Sequence, residues 1–168
     1  MHFTTIYDYI LLKMKYLVAL DNSPEALDAF VFGMNLFTHA DHVILLNVVP
    51  EVGLLPLVNI DKTIMNEVNI QLLRKSKKLL KEFGHKLTES DIPHTLLSGK
   101  GDAKSIVCKE AKKNNVDLVI IGRQNLGTIQ RVLVGSNSEY CANKLKCDIL
   151  VVPAQRQPVK LPEVREEY

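Results

Sequence analysis

The chain has 168 residues, of which 46% are hydrophobic and 24% are charged, and its formal net charge is +2. This composition is typical of a single globular domain and excludes a wholly disordered chain. Because proteins that track a nucleic-acid backbone normally carry a clustered basic excess, so small a charge gives no support for a nucleic-acid partner.

The first fourteen residues are apolar, but they lack the basic start and the cleavage site of a secretory signal. We therefore expect an N-terminal arm at residues 1–14. The run "YLVAL", residues 16–20, predicts the first buried strand. Ser23 then supplies a helix N-cap and Pro24 suits the first helical position, so a helix is predicted to begin there. No apolar run approaches the ~20 residues of a membrane span, and we expect no membrane partner.

Apolar runs and segments of helical period continue to alternate as far as Pro153. Five strands separated by four helical segments are typical of a parallel sheet, and strands that are continuous apolar runs indicate helices on both faces. We therefore predict a doubly wound α/β domain over residues 15–153 and an irregular tail over 154–168. The later predicted strands are 42–49, 94–99, 116–122 and 147–153, and the later predicted helices are 61–89, 102–115 and 136–145.

The cysteines Cys108, Cys141 and Cys147 are odd in number and form no close-spaced pair, which indicates neither a disulfide framework nor a zinc site. Reduced thiols in a cytoplasmic compartment are the simplest interpretation, and a redox role for Cys141 and Cys147 is the alternative. The lysines of "LLRKSKKLLKEF" alternate with leucines at helical spacing, which indicates a solvated helix face.

Ligands of such sheets bind at the carboxyl ends of the strands, beside the point where the strand order reverses. One of these ends carries "GKGDAKS", residues 99–105, which resembles a phosphate-binding loop. Ala103 stands where that loop needs a glycine, and Lys104 stands where a dinucleotide fingerprint needs one. A tight strand-to-helix turn is the better interpretation of this segment.

The stretch "IGRQNLGTIQRVLVGS" follows the fourth predicted strand and is different in kind. Gly122, Asn125 and Gly127 tolerate a left-handed backbone, so their N–H groups can turn towards one anion. Gly135 and Ser136 add a helix N-terminus, which favours a phosphate. The alternative is structural, because "SNSE" is a capping box in which Ser136 satisfies amides of its own helix.

With these residues the chain resembles the universal stress proteins over about residues 15–153, most specifically in "VDLVIIGRQNLGTIQRVLVGSNSEYCANKLKCDILVVP". The nucleotide-binding branch of that family carries a glycine, two residues, a second glycine, nine residues, and then glycine with serine or threonine. Gly122 fills the first place and Gly135 with Ser136 fills the last, whereas Asn125 replaces the second glycine. Asparagine suits the left-handed turn, but its side chain intrudes where the backbone should approach the phosphates.

The resemblance implies a five-stranded parallel sheet in the order 3-2-1-4-5 and a bound adenine nucleotide, ATP with Mg²⁺ in the first instance. Asp21 matches the acidic residue beside the ribose and phosphates, and it could hold Mg²⁺ through a phosphate. A lone aspartate after a strand is also a common helix cap. Arg123 could pair with a phosphate or point to water. The other residues implied at the site are Ala19 and Leu20 on the adenine side, Val48 at the adenine edge, Ile121 near the base, and Asn137 and Ser138 after Ser136.

The family also pairs through its last strand, so the resemblance implies a homodimer joined along Ile149 to Val152, which would cover an apolar sheet edge. Two functions compete: an adenine-nucleotide-binding regulator of the stress response, and a dimeric interaction protein that binds no nucleotide. Asn125 separates them. A slow ATPase is a third hypothesis, but no catalytic residue or resident metal site is predicted, because P-loop, HExxH and GxSxG signatures are all missing from the sequence.

Overall fold

A computed structural model describes residues 13–51, 62–123 and 147–153, and the structural statements below concern those ranges. The N-terminal arm before residue 13, the predicted helix 136–145 and the C-terminal tail lie outside them. The described elements are β1 (Lys15–Leu20), α1 (Pro24–Met34), β2 (His42–Val49), α2 (Lys62–Glu89), β3 (His94–Lys100), α3 (Ala103–Lys113), β4 (Leu118–Gly122) and β5 (Asp148–Val152).

The strands form one parallel sheet in the order β3-β2-β1-β4-β5, which confirms the predicted order 3-2-1-4-5. β1 is the central strand and pairs on both of its edges. Leu20 lies opposite Asn47 of β2 on one side, and Val18 lies opposite Ile120 of β4 on the other. Along the sequence, β2 and β3 are added on one side of β1, and β4 and β5 are then added on its other side. The strand order therefore reverses between β1 and β4.

Alternate residues of β1 point into two separate cores. Val18 packs in a cluster with Phe30 of α1 and Leu80 of α2, whereas Leu17 packs in a second cluster with Val107 of α3. Both β1 residues are fully buried. The prediction of helices on both faces is thereby confirmed, and continuous apolar strands are explained because each inner strand needs cover on two sides.

The two edge strands are β3 and β5, and they differ in exposure. In β3 most side chains reach solvent, including Leu96, while in β5 the residues Ile149, Leu150 and Val151 are half-buried. Leu150 joins the core on the α1 side, and the other two join the core on the α3 side. β5 is therefore an apolar strand of which one edge pairs with β4 and the other has no partner strand within the described residues.

Two helices, α2 and α3, end in the same backbone motif, and at α3 this motif explains why β4 begins later than predicted. Asn115 has a φ of 50°, and the N–H of Val116 donates to the carbonyl oxygen of Ala111 at 3.0 Å. This is the Schellman closure of a helix, so Val116 ends α3 rather than opening a strand. β4 therefore begins at Leu118, later than predicted. Asp91, with a φ of 52°, closes α2 in the same way.

α2 is longer than the sheet that it covers. Its 28 residues extend over about 42 Å, and the first buried side chain along it is Ser76, whose hydroxyl lies 2.7 Å from that of Ser98 on β3. Ile64, Val68 and Ile70, in the half before Ser76, are exposed. None of the helices in the described parts of the chain, α2 included, has the length and the hydropathy to cross a bilayer.

A buried carboxylate holds the opening of β1 against the loop that precedes β2. Asp41 is only 4% exposed. Its Oδ1 accepts a hydrogen bond from the N–H of Met14 at 2.9 Å, and its Oδ2 accepts from the N–H and the hydroxyl of Thr38, both at 2.8 Å. The carbonyl oxygen of Met14 accepts in turn from the N–H of His42 at 2.9 Å. The start of the central strand is therefore fixed by side-chain as well as ladder hydrogen bonds.

We expect Asp41→Ala to lower the free energy of unfolding by about 3 kcal/mol, because it removes a buried carboxylate that accepts three hydrogen bonds from Met14 and Thr38. Urea unfolding followed by circular dichroism measures the change. Asp148→Ala, which removes an exposed carboxylate, is the control and should change the value by no more than about 0.5 kcal/mol. Equal effects of the two substitutions would contradict the assignment.

Candidate functional site

The carboxyl ends of β1 and β4 meet at one edge of the sheet, where the strand order reverses. β1 ends at Leu20 and is followed by Asp21, while β4 ends at Gly122 and is followed by Arg123. Because the two strands pair in register up to Val18 and Ile120, these residues reach the edge together. This is the place where open α/β sheets bind ligands.

The residues before this edge divide between the two faces of the sheet. Ala19, Val48 and Ile121 belong to the core on the α3 side, with Ile121 fully buried and the other two partly buried. Leu20 is buried in the opposite core, beneath α1. Ala19 and Val48 are thus partly accessible to a ligand on the α3 side of the sheet, and the buried Ile121 belongs to the same core. The side chain of Leu20 lies on the opposite side, so Leu20 can contribute only its backbone.

Asp21 is held in a defined orientation by the residue that caps α1. Its Oδ1 accepts from the N–H of Ser23 at 2.9 Å and, through a short hydrogen bond, from the Ser23 hydroxyl. The Ser23 oxygen accepts in turn from the N–H of Ala26 at 3.2 Å and is the helix N-cap. Ser23, not Asp21, therefore caps the helix, and Asp21 accepts hydrogen bonds from the capping residue.

Asn47 is a residue of this region that the sequence analysis missed. It is 7% exposed, and its Nδ2 donates to the carbonyl oxygen of Leu20 at 2.8 Å. The bond ties the last residue of β1 to the neighbouring strand immediately before Asp21. A signal was present in the sequence, because a polar residue that interrupts the apolar run "HVILLNVV" must find a hydrogen-bond partner inside the protein.

Gly122 is required by close packing. We predicted that a left-handed backbone explains this glycine, but among the glycines in the described ranges only Gly101 has a positive φ. A Cβ on Gly122 would instead lie 2.5 Å from the carbonyl carbon of Glu25 and 2.9 Å from its Cβ. The absence of a side chain therefore lets the end of β4 approach the first turn of α1.

Glu25 is a second residue that the sequence did not reveal. It lies in the first turn of α1, against Gly122. Its Oε2 is buried and finds no hydrogen-bond partner among the residues that the structure describes. Buried polar atoms are normally paired, so this oxygen is suited to a donor such as a ligand hydroxyl or an N–H of the following loop. No sequence signal singles it out, since acidic residues are common in the first turn of helices.

The loop after β4 would supply the second half of the predicted site. Arg123 is exposed and is the last described residue before this loop. The predicted site residues Asn125, Gly135, Ser136, Asn137 and Ser138 lie outside the described residues. The structure therefore brings together the strand-borne part of the site, consisting of Ala19, Leu20, Asp21, Val48, Ile121, Gly122 and Arg123.

The segment after β3 is a capped turn. Gly101 has a φ of 126°, and Oδ2 of Asp102 accepts from the N–H of Ser105 at 3.0 Å and from its hydroxyl at 2.8 Å. These hydrogen bonds hold the pKa of Asp102 below its ordinary value. Asp102 is the N-cap of α3, as expected for a strand-to-helix turn.

The described residues offer neither a metal cluster nor an activated thiol. No group of three or more His, Cys, Asp or Glu side chains lies close enough there to hold a metal ion. Burial, followed by the nearby carboxylates of Asp148 and Asp117, raises the pKa of the Cys147 thiol. A raised pKa disfavours the reactive thiolate, which argues against redox activity at Cys147; Cys141 lies outside the described residues.

Comparison with known proteins identifies relatives of one kind. A family model described as "Universal stress protein family" matches residues 14–153. A universal stress protein A-like protein of Arabidopsis thaliana is 27% identical over 99 residues, covering 56% of this chain and 57% of that protein. A putative universal stress protein of Staphylococcus aureus is 40% identical over 75 residues, covering 40% of this chain and 45% of that protein. The matches thus span about half the length of these curated relatives.

Solved structures share the fold over most of the chain. A hypothetical protein designated MJ0577 has a TM-score of 0.66 and 24% identity, covering 87% of this chain and 99% of its own. A universal stress protein family protein of Arabidopsis thaliana, solved with AMP bound, has a TM-score of 0.57 and 19% identity, covering 84% of this chain and 92% of its own. At these identities the likeness establishes the fold.

We expect Gly122→Ala to lower the free energy of unfolding by about 1–3 kcal/mol, because the new methyl group overlaps the Glu25 backbone rather than a flexible side chain. Chemical denaturation of the purified variant gives the value. Arg123→Ala alters the adjacent exposed residue and should leave stability within about 0.5 kcal/mol of the parent. A Gly122→Ala protein as stable as the Arg123→Ala protein would show that the two elements do not pack this closely.

Proposed function

Because the chain belongs to the universal stress protein family, we propose that it binds an adenine nucleotide, ATP in the first instance, at the carboxyl edge between β1 and β4. In this proposal the protein is a cytoplasmic dimer that acts as a regulator in the stress response, and nucleotide occupancy changes its state or its partners. The observation that carries the proposal is the meeting of Asp21 and Gly122 at the point of strand-order reversal.

The described half of the site offers surfaces suited to the two ends of a nucleoside. Ala19 and Val48 are apolar and only partly buried, so they suit the face of a base. The pairing of β2 with β1 ends at Asn47, so the β1-facing backbone beyond it could meet the edge of the base. Asp21 is an acceptor, and so is the Oε2 of Glu25, which has no hydrogen-bond partner within the described ranges. Acceptors suit the hydroxyl groups of a ribose because each hydroxyl is a donor.

The phosphates are assigned to the loop after β4. Gly122 begins the family spacing and Gly135 with Ser136 ends it, and backbone amides of such turns favour anions. Mg²⁺ would be held by phosphate oxygens of the nucleotide, with Asp21 as the one carboxylate of the protein. One or two carboxylates together with substrate phosphates are a usual set of ligands for this ion. The AMP bound to the Arabidopsis family member supports an adenine nucleotide at this fold.

Asn125 is the specific reason to retain a second candidate function. It occupies the place of the motif's middle glycine, and a side chain there would compete with the phosphates for space. If it fills the phosphate position, the protein is a dimeric interaction protein that binds no nucleotide. A slow ATPase is a variant of the first function and is distinguished by release of inorganic phosphate from ATP.

Calorimetric titration with ATP and Mg²⁺ tests the proposal. We expect the intact chain to bind and Asp21→Ala to weaken binding roughly 10- to 100-fold, the effect of losing a hydrogen bond to a charged group. Asp102→Ala is the matched control, because Asp102 also follows a strand and also bonds a nearby serine, but at the end of β3. Its affinity should equal that of the parent.

The Asn125→Gly variant decides between the two functions. Binding by both the parent and this variant supports a nucleotide-regulated protein. Binding by the variant alone would mean that Asn125 closes the site and that the second candidate is correct. If neither the parent nor the variant binds ATP, AMP or cAMP, the nucleotide proposal is wrong.

The homodimer is proposed to form along β5, whose residues Ile149 to Val152 present an apolar strand at the sheet edge. An edge strand with an unpaired ladder invites pairing with a second chain. We expect sedimentation velocity to give a dimer for the parent and a monomer for Val151→Glu, because the charge would be desolvated in the interface. The circular dichroism spectrum of the variant should match that of the parent, which checks that the core contact of Val151 on the α3 side is not lost. Leu96→Glu, on the opposite edge strand, should remain dimeric. A dimer that survives Val151→Glu would place the interface elsewhere.

A further inference from the structure

An apolar groove runs between α1 and α2 on the face of the sheet opposite α3. It has a volume of about 360 Å³ and is lined by Leu27, Phe30, Val31, Met34, Glu82, Phe83 and Lys86. The rings of Phe30 and Phe83 meet edge to face, with their centroids 4.7 Å apart. The charged residues of the lining are Glu82 and Lys86, both from α2. The groove is therefore an apolar channel with charges on its α2 side.

The α1 side of this groove places apolar side chains in water. Leu27 is 50% exposed and Val31 is 44% exposed, and they lie one helical turn apart on the same face. Contiguous exposed apolar surface of this kind is typical of a binding surface. A helix with apolar residues at intervals of three and four suits such a groove.

The N-terminal arm enters the described structure beside one end of the groove. Met14 packs against the same core cluster as Phe30, Met34 and Phe83. Its sulfur accepts from the Tyr16 hydroxyl at 3.4 Å. The Tyr16 ring in turn contacts the ring of Phe37, and Phe37 packs against the last turns of α1. The described chain therefore begins, at Lys13, near the C-terminal end of α1.

The sequence of the arm has the periodicity that this groove requires. Phe3, Tyr7, Ile10 and Met14 are separated by four, three and four residues, which is the spacing of one helix face. Twelve helical residues extend over about 18 Å, whereas the stretch of α1 from Leu27 to Met34 covers about 10 Å. A helix formed by residues 1–12 is therefore long enough to cover the groove from the end at which Met14 lies.

We propose that residues 1–12 dock as an amphipathic helix in the α1–α2 groove of their own chain, with Phe3, Tyr7 and Ile10 directed into it. The C-terminal tail is the less suitable occupant. It leaves from Pro153, at the carboxyl ends of the strands, whereas Met14 and Met34 lie near their amino ends. The tail also contains prolines at 158 and 162, which interrupt any helical stripe.

Two single-tryptophan variants of the full chain test the docking, since the natural sequence has no tryptophan. Tyr7→Trp places the indole on the apolar face of the arm, and Tyr9→Trp places it on the other face. We expect Tyr7→Trp to emit at shorter wavelength and to be quenched by acrylamide several-fold less than Tyr9→Trp. Equal quenching of the two variants overturns the proposal, and this comparison leaves the groove itself unaltered.

A second pair of substitutions, made in the Tyr7→Trp protein, identifies the groove as the place of protection. Val31→Asp should raise acrylamide quenching to the level of Tyr9→Trp, whereas Phe32→Asp should not. Phe32 is the matched control because it is 43% exposed on the same helix but lies outside the groove lining. Protection that survives Val31→Asp places the arm elsewhere. Protection that disappears on dilution assigns the groove to the arm of a second copy and overturns docking within one chain.

Discussion

The double burial of β1 is the constraint on which the rest of the structure depends. This strand pairs on both edges and is covered on both faces, so every side chain along its middle must be apolar and every backbone group must pair within the sheet. Polar fixation is possible only at its two ends. At the start of the strand, the buried Asp41 accepts a hydrogen bond from the N–H of Met14. At its end, the buried Asn47 donates a hydrogen bond to the carbonyl oxygen of Leu20.

Fixation of the end of β1 determines the geometry of the candidate site. Asn47 holds the carbonyl group of Leu20, and the next residue, Asp21, is oriented by Ser23 at the start of α1. α1 then approaches β4 closely because Gly122 has no side chain. Four elements, namely the consecutive β1 and α1 together with β2 and β4, are thus brought to one edge by short-range contacts. A ligand at this edge would meet a surface that is already arranged before binding.

The sequence predicted the elements well because their signals are local. The apolar runs of the strands and the Ser23–Pro24 start of α1 depend only on neighbouring residues, and both were confirmed. The later start of β4 was missed because a non-glycine residue, Asn115, adopts the left-handed conformation that closes α3. The pairing of Asn47 and the contact of Gly122 with Glu25 could not be predicted, since each joins residues far apart in sequence.

The length of α2 has a consequence for the motions of the protein. Its second half shares the core with β2 through Leu80 and Leu87, whereas the side chains from Thr63 to Lys75 are exposed or half-buried. Most of the stability of a helix in a protein comes from tertiary packing of its apolar face. One continuous helix therefore combines two levels of local stability, and its backbone amides should exchange with solvent deuterium along a gradient, fastest where α2 begins and slowest beside the sheet.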